Sequence, residues 1–252
     1  MPINTMRRLT GHQRSAAANR QLGCVLAFVA GAINAGGFLA IGHYTSHMTG
    51  IVSSMADNLV LGQGRLVLAA LGAVAAFLGG AATTALLVNF ARRRRLVSEY
   101  ALPLLFEAGL LLLFGVLGAR LAAPDGSALA VTAVLLCYVM GLQNAVITKL
   151  SRAEIRTTHM TGIVTDIGIE LGKLLYWNGD PGQPRVGANR ARLASLAALL
   201  GCFLAGGVAG ALGFKYVGYL STVPLAAVLC LLAIVPVADD LARSLARRRR
   251  GP

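Results

Sequence analysis

The sequence predicts an all-α polytopic membrane bundle, with six transmembrane helices plus two re-entrant half-helices arranged as an inverted 3+3 internal repeat. Three observations carry that reading. The 252 residues are 56% hydrophobic and only 13% charged, with a mean hydropathy of +0.68, whereas soluble chains carry about 25% charged residues. Six apolar stretches are long enough to cross a bilayer. A motif occurs twice, and positive charge falls where an upside-down second copy would put it.

A helix needs about 20 apolar residues, at 1.5 Å each, to cross a hydrocarbon core of about 30 Å. The qualifying stretches are Leu22–Gly42, Leu66–Phe90, Ala101–Leu121, Ala128–Thr148, Leu193–Phe214 and Val217–Val237. The first follows Arg7, Arg8, Arg14 and Arg20 as a signal peptide would. It is too long for one and no small-residue cleavage site ends it, so it reads as an uncleaved first helix. Met48–Leu61 and His159–Leu175 are shorter, and are studded with Ser53, Ser54, Asp57 and Asn58 and with Thr165, Asp166 and Glu170. Such segments read as re-entrant. Cys24, Cys137, Cys202 and Cys230 lie inside apolar runs, at no metal or disulfide spacing, and read as small packing residues.

Ser46-His47-Met48-Thr49-Gly50-Ile51-Val52-Ser53 returns as Thr158-His159-Met160-Thr161-Gly162-Ile163-Val164-Thr165, an offset of 112 residues. Upstream, Gly31-Ala32-Ile33-Asn34-Ala35 is matched by Gly141-Leu142-Gln143-Asn144-Ala145 at an offset of 110. The chain therefore divides into a basic tail (1–20), a first membrane repeat (21–123), a second, inverted repeat (124–240) and a second basic tail (241–252). Inversion follows from charge, because Lys and Arg collect on the cytoplasmic side. If both short segments turn back, 20 of the 23 Lys and Arg fall on one side, leaving Arg65, Arg120 and Lys215 on the other. If both cross, the division is 15 against 8 and the tetrad Arg92 to Arg95 is expelled. The six-span arrangement is expected, in the bacterial inner membrane with both termini cytoplasmic.

In that arrangement the two short helices begin near the midplane with their N-termini facing each other. Exposed backbone cannot sit in lipid, so each dip must be buried or line a wet cavity. Ser46 or His47 with Thr49, and Thr158 or His159 with Thr161, stand where N-caps belong. Gly50 and Gly162 permit close backbone approach. Opposed helix N-termini offer amide donors and positive dipole ends, which favour an anion. Inverted repeats of this kind are the build of many secondary transporters. His47 and His159 can hold a proton or simply cap a helix. Asn34 and Asn144 can bond the unwound dips or touch cargo. Asp166, two turns after His159 and without an acidic twin, is a candidate for proton or cation work, and Glu107 for proton coupling or snorkelling. The Arg clusters read as anchors to anionic lipid rather than nucleic-acid surface.

These residues carry a resemblance. Gly31-Ala-Ile-Asn-Ala-Gly-Gly-Phe38 followed by Thr45-Ser-His-Met-Thr-Gly50, then Gly141-Leu-Gln-Asn-Ala145 and Arg156-Thr-Thr-His-Met-Thr-Gly-Ile-Val-Thr-Asp-Ile-Gly168, is similar to the YoaK-type family of bacterial membrane proteins, over about residues 20–240. The resemblance implies a six-helix inner-membrane protein of unknown substrate. One position departs from it: Ile51 stands where the pattern has Asn.

The expected function is a transporter or channel for a small solute, with an anion and proton coupling favoured by the dipoles and the histidines. No metal, cofactor or nucleic acid is expected, the partners being the bilayer, the solute and a further copy of the chain. Two alternatives stay open. One is a non-transporting scaffold or subunit; the other is an intramembrane enzyme using His47, His159 and Asp166, though no H-E-x-x-H or G-x-S-x-G is present.

Overall fold

The protein is seen in a computed structural model that describes residues 16–96, 98–120, 126–151, 157–179 and 183–249. The helices are α1 (Ala16–Ile41), α2 (Met48–Val60), α3 (Gly64–Arg93), α4 (Ala101–Arg120), α5 (Gly126–Leu150), α6 (Met160–Leu175), α7 (Arg190–Val217) and α8 (Thr222–Arg249), with a 3-10 turn at Gly218–Ser221. Among the described residues all regular structure is helical. Five stretches are long and apolar enough to cross a membrane: Ala17–Ile41, Gly64–Arg93, Ala101–Arg120, Ala130–Leu150 and the 54-residue Arg190–Arg243. The last holds two helices of 28 residues each, α7 and α8, with the chain turning back at Gly218–Ser221, where Gly213 lies against Ser221. This is a multi-pass membrane bundle. At 1.5 Å per residue, the 13 residues of α2 and the 16 of α6 extend about 20 and 24 Å, short of a crossing. The repeat boundary at 123/124 lies outside the described residues, as do Arg7, Arg8, Arg14, Arg152 and Arg156.

Contacts between small residues set the direction of each helix. Gly31 and Gly206 bring α1 and α7 together so closely that a side chain on Gly206 would strike the Phe28 carbonyl, and one on Gly31 the Phe203 carbonyl. Gly210 abuts Ala32, Gly36 faces Phe214, and Arg20 reaches Ser195. Numbers rise together, so α1 and α7 are parallel. By the same test α3 and α5 are parallel: Gly141 abuts the Phe77 carbonyl, Gly80 abuts that of Tyr138, and Thr84 donates to the Leu142 carbonyl at 2.9 Å. Such close seams are what helices use where lipid removes the hydrophobic drive to associate.

The pair α4 and α8 runs the other way. The Ser98 amide, before α4, donates to Asp240 at 2.8 Å near the end of α8, while Gly115 and Gly118 late in α4 meet Thr222 and Tyr219 at the start of α8. α4 is also antiparallel to α5, since Tyr100 reaches the Lys149 carbonyl and Phe106 packs edge-on against Tyr138. Hence α1, α4 and α7 point one way and α3, α5 and α8 the other. Counterparts in the two repeats (α1 and α5, α3 and α7, α4 and α8) are opposed, which is the inverted relation. The pairing repeats residue for residue. Gly31 on Phe203 corresponds to Gly141 on Phe77, and Gly206 on Phe28 to Gly80 on Tyr138, with offsets of 110 in the first helix and 126 in the second. Of the added 16 residues, two fall between α5 and α6 and fourteen in the longer α6 and the segment 176–189 before α7.

Arg20, Arg92 to Arg95, Lys149, Arg190, Arg192 and Arg243 therefore gather at one end, and Arg65, Arg120 and Lys215 at the other. At the basic end, Arg92 pairs with Glu99 at 2.8 Å and donates to the Tyr100 hydroxyl, tying α3 to α4. At the far end, Phe114, Phe214 and Tyr219 form an aromatic cluster with centroids 5.6 to 6.2 Å apart.

Candidate functional site

The two copies of the motif are built alike. After α1 the chain turns at Gly42 (φ 74°), where glycine is favoured, and runs back along its own helix. The Ser46 hydroxyl then donates to Asn34 Oδ1 at 2.8 Å. Asn34 lies seven residues before the end of α1, so the dip descends roughly 10 Å. In the second half the Thr158 hydroxyl donates to Asn144 Oδ1. The Asn144 amide in turn donates to the Met140 carbonyl at 2.8 Å. α2 then leaves along α3, and α6 along α7.

The N-caps fall on two of the expected residues, without the side-chain bond expected of a cap. The N-caps are His47 (φ −87°, ψ 67°) and His159 (φ −81°, ψ 57°), and neither helix receives a side-chain cap. The Ser46 and Thr158 hydroxyls are committed to the asparagines, and the Met48 amide at the start of α2 donates to the Ser46 carbonyl at 3.1 Å. The glycines differ too. Gly50 lies beneath the His47 ring, whose Nδ1 a side chain there would meet, whereas Gly162 has open space around it. Neither supports the close backbone approach expected of them. Thr49 and Thr161 are exposed on the first turns of their helices, as are His47 and His159.

Gly37 packs on Leu136, and α1 is antiparallel to α5. Asn34 therefore faces the level of Val139, five residues from Asn144, an axial separation of about 8 Å. The surroundings of the two dips are short of hydrogen bonds. Thr45 (2% exposed) and Thr157 (0%) occupy matching positions, and neither hydroxyl has a partner. Gln143 (0% exposed) has none for its amide nitrogen or oxygen, and Glu107 (0%) none for either carboxylate oxygen. An unpaired polar group in an apolar interior costs about 1–3 kcal/mol. Among the described residues the other buried polar side-chain atoms without partners belong to Asn19 and Ser221, at helix ends.

Glu107 sits on the buried face of α4 with Leu104, Ala108 and Leu111, at the level of Tyr138 next to Phe106. Tyr138 is six residues, or about 9 Å, from Asn144. Asp166 is elsewhere. It pairs with Arg192 at 3.0 Å on the solvent-facing side of the α6–α7 junction. Beside it, the Glu170 carboxylate accepts from Lys173 at 2.8 Å and from the Asn189 amide at 2.7 Å. Those two donors hold the Glu170 carboxyl below the usual carboxylate range, with Arg192 adding to them. The structure thus joins Asn34 to Ser46 and Asn144 to Thr158, keeps Glu107 nearby, and assigns Asp166 to an ion pair. The identity of Thr45, Thr157 and Gln143 was visible in the sequence, but burial without a partner is a property of packing.

A family model described as "Protein of unknown function (DUF1275)" matches residues 22–235. No curated protein matches, and no solved structure does.

Proposed function

The chain belongs to this family of unknown function, and we propose that it is a transporter or channel for a small polar solute, an anion by preference, bound between the two dips. The observation that carries the reading is the matched pair of buried hydroxyls without partners, Thr45 and Thr157, beside two equivalent Asn–hydroxyl pairs. Groups left unsatisfied in an apolar interior are the ones a polar solute would satisfy. The starts of α2 and α6, which no side chain caps, add positive dipole ends. The inverted halves supply two related arrangements that can exchange as the site opens to either face. Glu107 is the proton-coupling group in this reading. An acid inside a membrane bundle, buried and without a hydrogen-bond partner, is a candidate for proton work. The basic end faces the cytoplasm of a bacterial inner membrane, in keeping with the distribution of Lys and Arg.

The test is reconstitution into liposomes and uptake of a panel of inorganic anions, carboxylates and neutral polar solutes, with an internal pH dye. Wild type carries at least one of them. Asn34→Ala with Asn144→Ala lowers that flux at least tenfold, about 1.4 kcal/mol, the scale of one or two hydrogen bonds. Glu107→Gln keeps solute exchange and abolishes the accompanying pH change. No flux across the panel, in protein that remains folded, contradicts the proposal and leaves the scaffold reading.

A further inference from the structure

The α1–α7 seam has a register. Phe28 faces Gly206, Ala32 faces Gly210 and Gly36 faces Phe214, each pair one helical turn beyond the last and 178 residues apart. One turn before Phe28 and Gly206 the same register brings Cys24 opposite Cys202. The Cys24 thiol sits against that of Cys202, with the Arg20 guanidinium nearby. Both belong to one apolar cluster with Ala27 and Leu199, and both are partly exposed. At the next turn the two backbones touch, since a side chain on Gly206 would overlap the Phe28 carbonyl, and a disulfide needs such close helices, with Cα atoms about 4.4–6.8 Å apart. The equivalent positions in the other half hold Val134 and Ala76, so this chemistry was added to one seam only.

We propose that Cys24 and Cys202 form a redox-active dithiol, a modification site that closes to an intramolecular disulfide between α1 and α7. The oxidant class that fits a site inside a bilayer is a lipid-soluble quinone. Both thiols lose their protons and one electron each, the sulfur–sulfur bond forms, and the quinone takes up two electrons and two protons to leave as the quinol. The consequence is mechanical. Met160, Ile163 and Ile167 of α6 pack into the same cluster, so the bond staples the two helices on which the second half-helix is seated. This site is independent of any transported solute.

Wild-type protein in liposomes is treated with duroquinone, whose fully methylated ring offers no position for thiol addition, then unfolded and labelled with a maleimide polymer. The four cysteines of the untreated protein fall to two labelled thiols on a monomeric band, and dithiothreitol restores four. Mass spectrometry finds the peptides of Cys24 and Cys202 joined. Cys24→Ala protein, which keeps a small side chain in the seam, retains its three remaining thiols after treatment. Four labelled thiols in treated wild type overturn the proposal. So does a bond joining other cysteines, a disulfide-linked dimer in place of the intramolecular bond, or a loss of label in Cys24→Ala equal to that in wild type.

Discussion

Ser46 and Thr158 decide how deep the dips go, because each hydroxyl is anchored to an asparagine on the helix the chain has just left. The glycines that follow are unequal, and the inequality is measurable. Gly162 has open space about it, so Gly162→Ala removes only glycine's backbone entropy and raises stability by up to about 1 kcal/mol. Gly50→Ala forces the His47 ring aside and gives no such gain, as thermal unfolding in detergent would register. From sequence the two glycines were interchangeable, since the motif around them is the same. What separates them is where one imidazole lies, which no spacing encodes. The Asn–hydroxyl pairs were legible as candidates because Asn34 and Asn144 recur with the motif. The orphaned state of Thr45, Thr157 and Gln143 was not, since it depends on what packs around them.

At the scale of the element, the existence of α2 and α6 was legible from length and polarity, and the structure begins them within a residue of the expected places. Which long helices pair was not legible. Small residues line nearly every apolar stretch, so any of several seams was open until the register of Gly31, Gly206, Gly80 and Gly141 fixed two of them. Those seams predict paired effects. Gly206→Ala drives a methyl group into the Phe28 carbonyl and Gly80→Ala one into that of Tyr138, each at a cost of about 1–3 kcal/mol, whereas Gly72→Ala, in open space, is neutral or mildly stabilising. The α6–α7 junction depends on pH. The folded-state carboxyl of Glu170 lies below its unfolded value of about 4.3, so its contribution is complete above that pH and fades as pH falls through the folded value. Protection of the amides at residues 183–189, taken relative to the intrinsic exchange rate at each pH, should be high at pH 7 and lower near pH 3. Glu170→Gln should give low protection at both; unchanged protection in that variant would contradict the role given to the carboxylate.

For the whole molecule, the inverted relation was legible from the count of Lys and Arg on each side, a signal spread over the chain and independent of any contact. The structure reaches the same relation by another route, through the antiparallel pairing of α4 and α8. The two agree because both follow from α2 and α6 being too short to cross, which reverses every later helix. All three features of the proposed site rest on that reversal: the opposed dips, the matched hydroxyls and the exchangeable halves. Side-specific labelling tests it most directly, with single cysteines placed at Arg94, Arg243, Arg65 and Lys215 in cysteine-free protein and an impermeant maleimide applied to sealed, oriented vesicles. The account predicts that Arg94 and Arg243 react from one face, and Arg65 and Lys215 from the other. Labelling of Arg94 and Arg243 from opposite faces would mean that the short helices cross, and would contradict it.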